Sequence, residues 1–289
     1  MYNIKHKSKG LISHGVSACA GCGLEMILRN VLEVLGQDTI SVNPPGCIAL
    51  FAGLGKDTGL KIAGMMGCLE NTAACASGIR AGLNAQGNTH TNVLGIAGDG
   101  GTADIGLQAL SGAIERRDRI IYVCYDNEAY MNTGIQGSSL TPLWASTTTT
   151  PGGKPVTRKN LIGIAMAHDI PYAATASLQN LADLRKKVKK AMETNGPSLL
   201  HIHCPCPTGW FYDPKYTIRL AKLAVTTGNW ILYEYEDGKV TINYKPQQLE
   251  PVDEYLKLQG RFEHLKPEQL EQIKGEIKKT FDRFVEKNS

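Results

Sequence analysis

Two groups of side chains in this sequence are of types that bind metals and anions. Asp99 stands in Gly98-Asp99-Gly100-Gly101, and Asn127 follows Asp126 twenty-eight residues later. A carboxylate and an amide oxygen that converge beside glycines suit a hard cation such as Mg²⁺, which takes oxygen ligands and keeps phosphate oxygens among them. The backbone N–H groups of a glycine turn and of a helix start favour the charge of a phosphate. The second group is sulfur. Cys19-Ala20-Gly21-Cys22 sets two thiols three positions apart, Cys47 ends Asn43-Pro44-Pro45-Gly46-Cys47, and Cys204 and Cys206 lie in His203-Cys204-Pro205-Cys206-Pro207. The first pair alone reads equally as a redox pair or half a zinc site. Three cysteines at loop starts with one at a strand end make a four-thiolate site that zinc or an iron–sulfur cluster would accept.

These residues need elements to position them. Residues 93–97 form a short apolar run, the mark of a buried parallel strand. The glycines after it turn the chain tightly enough for backbone to approach a ligand. Ile105, Leu107, Leu110 and Ile114 repeat at helical spacing over 103–116, and 119–125 reads as a second strand ending at Asp126-Asn127. Ligands of parallel sheets bind at the carboxyl ends of strands, so one helical crossover brings Asp99 and Asn127 to one point. Around this unit the pattern predicts helices over 24–35, 70–84, 159–168, 180–193, 215–226 and 267–287. It predicts strands over 39–42, 172–176 and 198–202, and a hairpin of 230–235 with 239–244. The 70–84 helix is built of small residues that allow close packing on a neighbour. The lysines of 180–193 read as a solvated face, or as one that steers an acidic redox protein. Residues 128–154 have neither period. A loop of that length with Tyr130, Met131, Ile135, Leu143 and Trp144 as anchors reads as an ordered wrap around a ligand. Asn132, Thr133, Gln136, Ser138 and Ser139 would offer it hydrogen bonds. Cys68, Cys75 and Cys124 sit among small apolar residues and read as buried thiols. His168, His201 and His203 read as packed or surface residues.

Composition bounds the rest. The 289 residues are 42% hydrophobic and 20% charged, with a net charge of +4 spread along the chain, which does not argue for nucleic acid. No run of eighteen apolar residues predicts a membrane span, and residues 1–15 lack the apolar core of a signal peptide. A cytoplasmic protein is expected, its eight cysteines serving as ligands or free thiols. The expected organisation is a cofactor domain over 1–245 and a helical extension over 246–289.

The motifs occur in one order: CAGCG at 19–23, GC at 46–47, GDGGTADIG at 98–106, LSGA with ER at 110–116, YDNEAYMNTGIQ at 125–136, TTTTP with GK at 147–154, and CPTGW at 206–210. That order resembles the β subunits of the 2-oxoacid:ferredoxin oxidoreductases, most closely the pyruvate type. The resemblance implies an α/β thiamine-diphosphate-binding fold with a central parallel sheet flanked by helices. It implies Mg²⁺ on Asp99, Asn127 and the carbonyl of Ala129, and thiamine diphosphate on Gly98, Asp99, Gly100, Gly101, Asn127, Ala129, Asn132 and Thr133, with Asn132 facing the reacting end. It implies a [4Fe–4S] cluster on Cys19, Cys22, Cys47 and Cys206, with Cys204 an extra cysteine beside it. The implied reaction is oxidative decarboxylation of a 2-oxoacid with coenzyme A, giving acyl-CoA, CO₂ and single electrons for ferredoxin. An α subunit would supply the pyrimidine-binding domain, and ferredoxin-like γ and δ subunits the electron path. Two departures bear on substrate. Gly137 follows Gln136 where an Arg is expected, which would leave room in the pocket, and Pro45 stands where a Thr is common. Aryl and branched 2-oxoacids and oxalate therefore stay open beside pyruvate. So does a non-oxidative thiamine enzyme carrying structural zinc.

Overall fold

The computed structural model describes residues 10–53 and 58–288, so residues 1–9, the first part of the segment expected to lack a signal peptide, lie outside the described residues. In chain order the elements are α1 (Gly23–Leu35), β1 (Thr39–Asn43), α2 (Ala49–Ala52), β2 (Ala63–Met66), α3 (Thr72–Ala85), β3 (Asn92–Gly98), α4 (Asp99–Ala103) and α5 (Leu107–Glu115). There follow β4 (Ile121–Asp126), α6 (Leu161–Met166), β5 (Tyr172–Ser177), α7 (Leu181–Glu193), β6 (Ser198–His203) and α8 (Pro207–Trp210). The chain ends with α9 (Thr217–Thr226), β7 (Leu232–Glu236), β8 (Lys239–Tyr244), α10 (Val252–Leu256) and α11 (Pro267–Asn288).

One eight-stranded sheet in the order β2-β1-β3-β4-β6-β5-β7-β8 runs through the molecule. The six strands from β2 to β5 are parallel, and the β7–β8 hairpin joins β5 antiparallel. Side chains alternate between the faces. Leu94 and Ile96 of β3, with Ile121, Val123 and Tyr125 of β4, enter a core that α1 and α7 cover. Val93, Ala97, Tyr122 and Cys124 face the opposite core, which α3, α5 and α6 cover. Burial on both faces is why these strands read as unbroken apolar runs. A third core gathers Trp210, Leu220, Trp230, Tyr255 and Ile273, and so ties the C-terminal segment to α8, α9 and β7. Within α11, Ile273, Phe281 and Val285 are buried, and the Phe284 ring lies 4.4 Å from that of Tyr233. Among the described residues no helix is long and apolar enough to cross a membrane.

The sheet order sets the site. β1, β3, β4 and β6 are neighbours, and their carboxyl ends lead directly to Cys47, Asp99, Asn127 and Cys204–Cys206. Cys22 is the residue before the first turn of α1, the helix that leads into β1, so it reaches the same edge.

Several expectations are corrected. The helix expected over 103–116 begins only at Leu107, as α5, and a separate short helix precedes it. α4 begins at Asp99 immediately after β3, so Gly100 and Gly101 lie in its first turn rather than in a tight bend. The break follows from Gly106, where a Cβ would collide with the carbonyl of Gly101. Ile105 at the break is 48% exposed instead of facing the core. β2, Ala63-Gly64-Met65-Met66, is a short edge strand that the sequence pattern does not predict, and all four of its residues are exposed although Met65 and Met66 are apolar. Cys68 is exposed rather than buried. Lys187 is fully buried in the basic helix α7, where it donates to Thr175 O at 2.9 Å and pairs with Asp183 at 2.6 Å.

Candidate cofactor and metal site

The residues 98, 99, 100, 101, 127, 129, 132 and 133 all line one cavity of about 120 Å³, and Cys47 lines it too. The cavity opens at the carboxyl ends of β1, β3 and β4. Gly98 pairs with Tyr125 across β3 and β4, which puts Asp99 and Asn127 side by side one or two residues later. Asn132 is exposed at the rim, on a turn closed by Tyr130 N donating to Gln136 O at 2.8 Å and Ile135 N to Tyr130 O at 2.9 Å. Thr133 Oγ1 donates to Gln136 Oε1 at 2.6 Å.

Asp99 is completely buried. Burial, then the nearby carboxyl of Asp126, pushes its pKa well above the carboxylate range, against a hydrogen bond from Ser138 Oγ. A buried anion in that condition lacks a cation partner. The geometry beside it supplies a place for one. One terminal atom of the Asn127 amide lies 2.9 Å from Asp99 Oδ1 and 2.9 Å from Ala129 O, and the other faces Cys47 Sγ at 3.9 Å. With the amide oxygen inward, three oxygens face one another, and either the proton that burial favours on Asp99 or a cation must lie among them. Turned over, the nitrogen would donate to both. Oxygens on one edge of a Mg²⁺ octahedron with bonds of about 2.0–2.1 Å stand about 2.9 Å apart. The carboxylate, amide and carbonyl therefore fit Mg²⁺ in donor type and in two of their spacings, with a cation selecting the oxygen-inward amide.

Glycine here serves a neighbour. A Cβ on Gly100 would stand 2.7 Å from Tyr130 Cδ1 and closer still to Cε1 and Cζ. The Tyr130 hydroxyl donates to Gly100 O at 3.2 Å or Asp104 Oδ2 at 3.1 Å, which locks the loop after β4 onto α4. The long segment 128–154 has neither helix nor strand, yet it is closely cross-linked. Lys154 Nζ donates to Ser139 O at 3.0 Å and Thr141 O at 2.7 Å, and Gly137 N to Thr149 Oγ1 at 2.9 Å. A Cβ on Gly137 would crowd Thr147 Oγ1 at 3.3 Å. Ser138, expected to hydrogen-bond a ligand, is committed to Asp99.

Cys19 is exposed, Cys22, Cys47 and Cys206 are partly buried, and Cys204 is buried. All eight cysteines are unpaired. Burial pushes the Cys47 thiol up to about 12, with Cys206, Cys22 and Cys19 close enough to add to it. Burial likewise pushes Cys206 up to about 11 against the Gly209 N–H that it accepts at 3.3 Å, with Cys22 and Cys19 again in range. Cys204 packs against the start of α1, where a Cβ on Gly23 would lie 3.3 Å from its sulfur. Among the described residues no three His, Cys, Asp or Glu side chains are gathered closely enough to hold one metal ion. A single tetrahedral zinc needs sulfurs within about 4 Å of each other. Cys19 and Cys22 lie near enough to Cys47 and Cys206 for their thiolates to repel, so ionising them together would need a cation's charge.

The residues that sequence reasoning missed stand behind the site. The Tyr125 hydroxyl accepts from Ile48 N at 3.3 Å and so holds the Cys47 loop. Trp210 Nε1 donates to Asn127 O at 2.8 Å. Buried Glu128 pairs with Arg158 at 3.0 Å and Arg261 at 2.5 Å. His201 Nε2 lies 2.7 Å from Asp126 Oδ2, a packed role. The buried His203 ring, 4.9 Å from that of Trp230, is packed too.

Residues 45–202 match the family described as thiamine pyrophosphate enzyme, C-terminal TPP binding domain. Pyruvate synthase subunit PorB of Methanothermobacter thermautotrophicus is 50% identical over 275 residues, covering 93% of this chain and 96% of that one. Ketoisovalerate oxidoreductase subunit VorB of Pyrococcus abyssi is 46% identical over 282 residues, covering 93% and 91%. Among solved structures, the 2-oxoglutarate:ferredoxin oxidoreductase from Magnetococcus marinus aligns with a TM-score of 0.61 at 21% identity, over 76% of this chain and 81% of that one, a likeness of fold.

Proposed function

The chain belongs to the thiamine-pyrophosphate-binding B subunits of the 2-oxoacid oxidoreductases, the family of PorB and VorB, and from that premise we propose that it is the catalytic β subunit of a pyruvate:ferredoxin oxidoreductase with coenzyme A as acyl acceptor. In this reading Asp99, Asn127 and Ala129 hold Mg²⁺, Gly98, Gly100, Gly101 and Thr133 line the thiamine diphosphate, and Asn132 at the rim meets its reacting end. Cys19, Cys22, Cys47 and Cys206 hold the [4Fe–4S] cluster. Cys206 is preferred to Cys204 because it is the less buried and heads the charges acting on Cys47. When bound, the thiazolium supplies a carbon nucleophile and an electron sink for loss of CO₂, and the cluster a one-electron acceptor.

The protein's own part is positional. Ser138 turns the Asp99 carboxylate toward Asn127, Tyr130 holds the loop that carries Asn132, and Tyr125 holds the loop that carries Cys47. The observation that carries the reading is the Asn127 side chain, whose one end meets the oxygen set and the other Cys47. In this reading a metal–diphosphate anchor and a cluster ligand would stand one side chain apart.

The exposed rim at Asn132 leaves the reacting end to be covered, which suits an α subunit bearing the pyrimidine-binding domain. Ferredoxin-like γ and δ subunits and ferredoxin would take the electrons. A reducing cytoplasm suits eight free thiols. Residues 1–245 would form the cofactor domain and 246–289 the extension that docks on it. A branched 2-oxoacid is the second reading, favoured by the 46% identity to VorB. The test is coenzyme A-dependent reduction of a viologen dye by the anaerobically purified complex over a panel of 2-oxoacids. Pyruvate should be turned over fastest. Turnover without coenzyme A or dye reduction would overturn the oxidative reading.

A further inference from the structure

Glu128 stands between two candidate metal ligands, Asn127 and Ala129, with φ +66°. A non-glycine residue in the left-handed region is strained and persists only where its surroundings fix it. The turn's other polar groups are accounted for. Glu128 N donates to Asp126 Oδ1 at 3.0 Å, Asn127 O accepts from Trp210 at 2.8 Å, and Glu128 O accepts from Thr141 Oγ1 at 2.6 Å. The Ala129 carbonyl points at the Asn127 amide. Two guanidiniums hold the Glu128 carboxylate, Arg158 at 3.0 Å on one oxygen and Arg261, far away in the sequence, on the other. Arg261, 2% exposed and just before α11, reaches the Glu128 carboxylate, and its guanidinium lies 3.9 Å from the centre of the Trp210 ring. Gln259 Oε1 accepts from Arg261 Nε at 3.0 Å and fixes the fork.

We infer that Arg261 is a positioning residue for the metal site: through Glu128 and Trp210 it pins the left-handed turn that aims Asn127 and Ala129 at the cation. The inference rests on the reading that these two residues and Asp99 hold Mg²⁺. It is distinct from a long-range charge effect, which has the opposite sign. A buried cation repels Mg²⁺, so its removal would tighten metal binding. Loss of a positioning contact loosens it.

The test is a titration of the anaerobically purified complex, stripped of metal and at saturating thiamine diphosphate, with Mn²⁺ followed by electron paramagnetic resonance. Arg261→Gln should raise the Mn²⁺ dissociation constant about ten- to a hundredfold, the range for outer partners of metal ligands, with iron content unchanged. Arg261→Lys should recover part of the loss, and Glu128→Gln combined with Arg261→Gln should be no worse than the single variant. Phe281→Ala, which loosens buried α11 without touching the turn, should leave the constant unchanged. An unchanged or tighter constant in Arg261→Gln would overturn the inference, as would an equal loss in Phe281→Ala. Should Arg261→Gln not assemble, Arg261→Lys and Glu128→Gln enter the same titration, where a weaker constant supports the inference and an unchanged one overturns it. A wild-type complex that binds no Mn²⁺ would instead sink the metal-site reading itself.

Discussion

Gly100→Ala changes one hydrogen into a methyl, and the structure gives its cost. The new Cβ would lie 2.7 Å from Tyr130 Cδ1 and nearer to two other ring atoms, where carbons rest at about 3.5–4.0 Å. Those atoms belong to a ring whose hydroxyl donates to Gly100 O or Asp104 Oδ2, so the ring cannot swing aside and keep that bond. Overpacking costs about 1–3 kcal/mol, and each lost hydrogen bond about 0.5–1.5 kcal/mol. The sum for one lost bond, about 1.5–4.5 kcal/mol, would lower a melting midpoint by about 3–18 °C at about 2–4 °C per kcal/mol. Because Tyr130 carries the loop to Asn132 and Thr133, the apparent affinity for thiamine diphosphate should fall with it. The assay is thermal melting of the assembled complex with a thiamine diphosphate titration, run as a double-mutant cycle with Tyr130→Leu. In the leucine background the alanine should cost less than about 1 kcal/mol. Additive costs in the double variant, or a Gly100→Ala protein with wild-type midpoint and cofactor affinity, would refute the packing argument.

Three further outcomes are expected. Serine at position 19, 22, 47 or 206 should each lower iron content and bleach the visible absorption of the anaerobic complex, whereas Cys204→Ser should retain both. Ser138→Ala frees the Asp99 carboxylate to rotate and should weaken Mg²⁺ binding about tenfold or more, read by isothermal titration. Burial, with Arg158 and Arg261 nearby, holds His203 down at about 3. The folded pKa lies below the unfolded value of about 6.5, so stability is complete above that pH and is lost as pH falls toward the folded value. At about pH 5 the loss is about 2 kcal/mol. Replacing His203 by Gln should flatten the denaturation profile between about pH 7 and 5.

The parallel strands and the site residues at their ends were legible for a shared reason. Strands buried on both faces leave apolar runs, and the residues just after such a run lie at the ligand-binding edge. Thus Asp99, Asn127 and Cys47 could be placed from local sequence. Gly100 shows the limit: the letter reports that a side chain is excluded, not that the ring of Tyr130 excludes it. β2 was missed because it is only four residues, Ala63-Gly64-Met65-Met66, with no β-branched side chain and no alternation to mark a strand. Lys187 was lost in a basic run whose average is solvated, although its own helical position points inward. Arg261 carried no signal at all. Its partner lies 133 residues earlier, and neither spacing nor periodicity connects Gln259-Gly260-Arg261 with Glu128.

In the proposed site a magnesium–diphosphate anchor and an iron–sulfur cage share one wall of this subunit. The most direct measurement is anomalous diffraction at the iron edge from crystals of the anaerobically purified complex grown with thiamine diphosphate and Mg²⁺. A four-iron peak is expected among the sulfurs of Cys19, Cys22, Cys47 and Cys206, beside a Mg²⁺ touching Asp99, Asn127 and Ala129. Thiamine diphosphate bound at that anchor with no iron among those four sulfurs would contradict it.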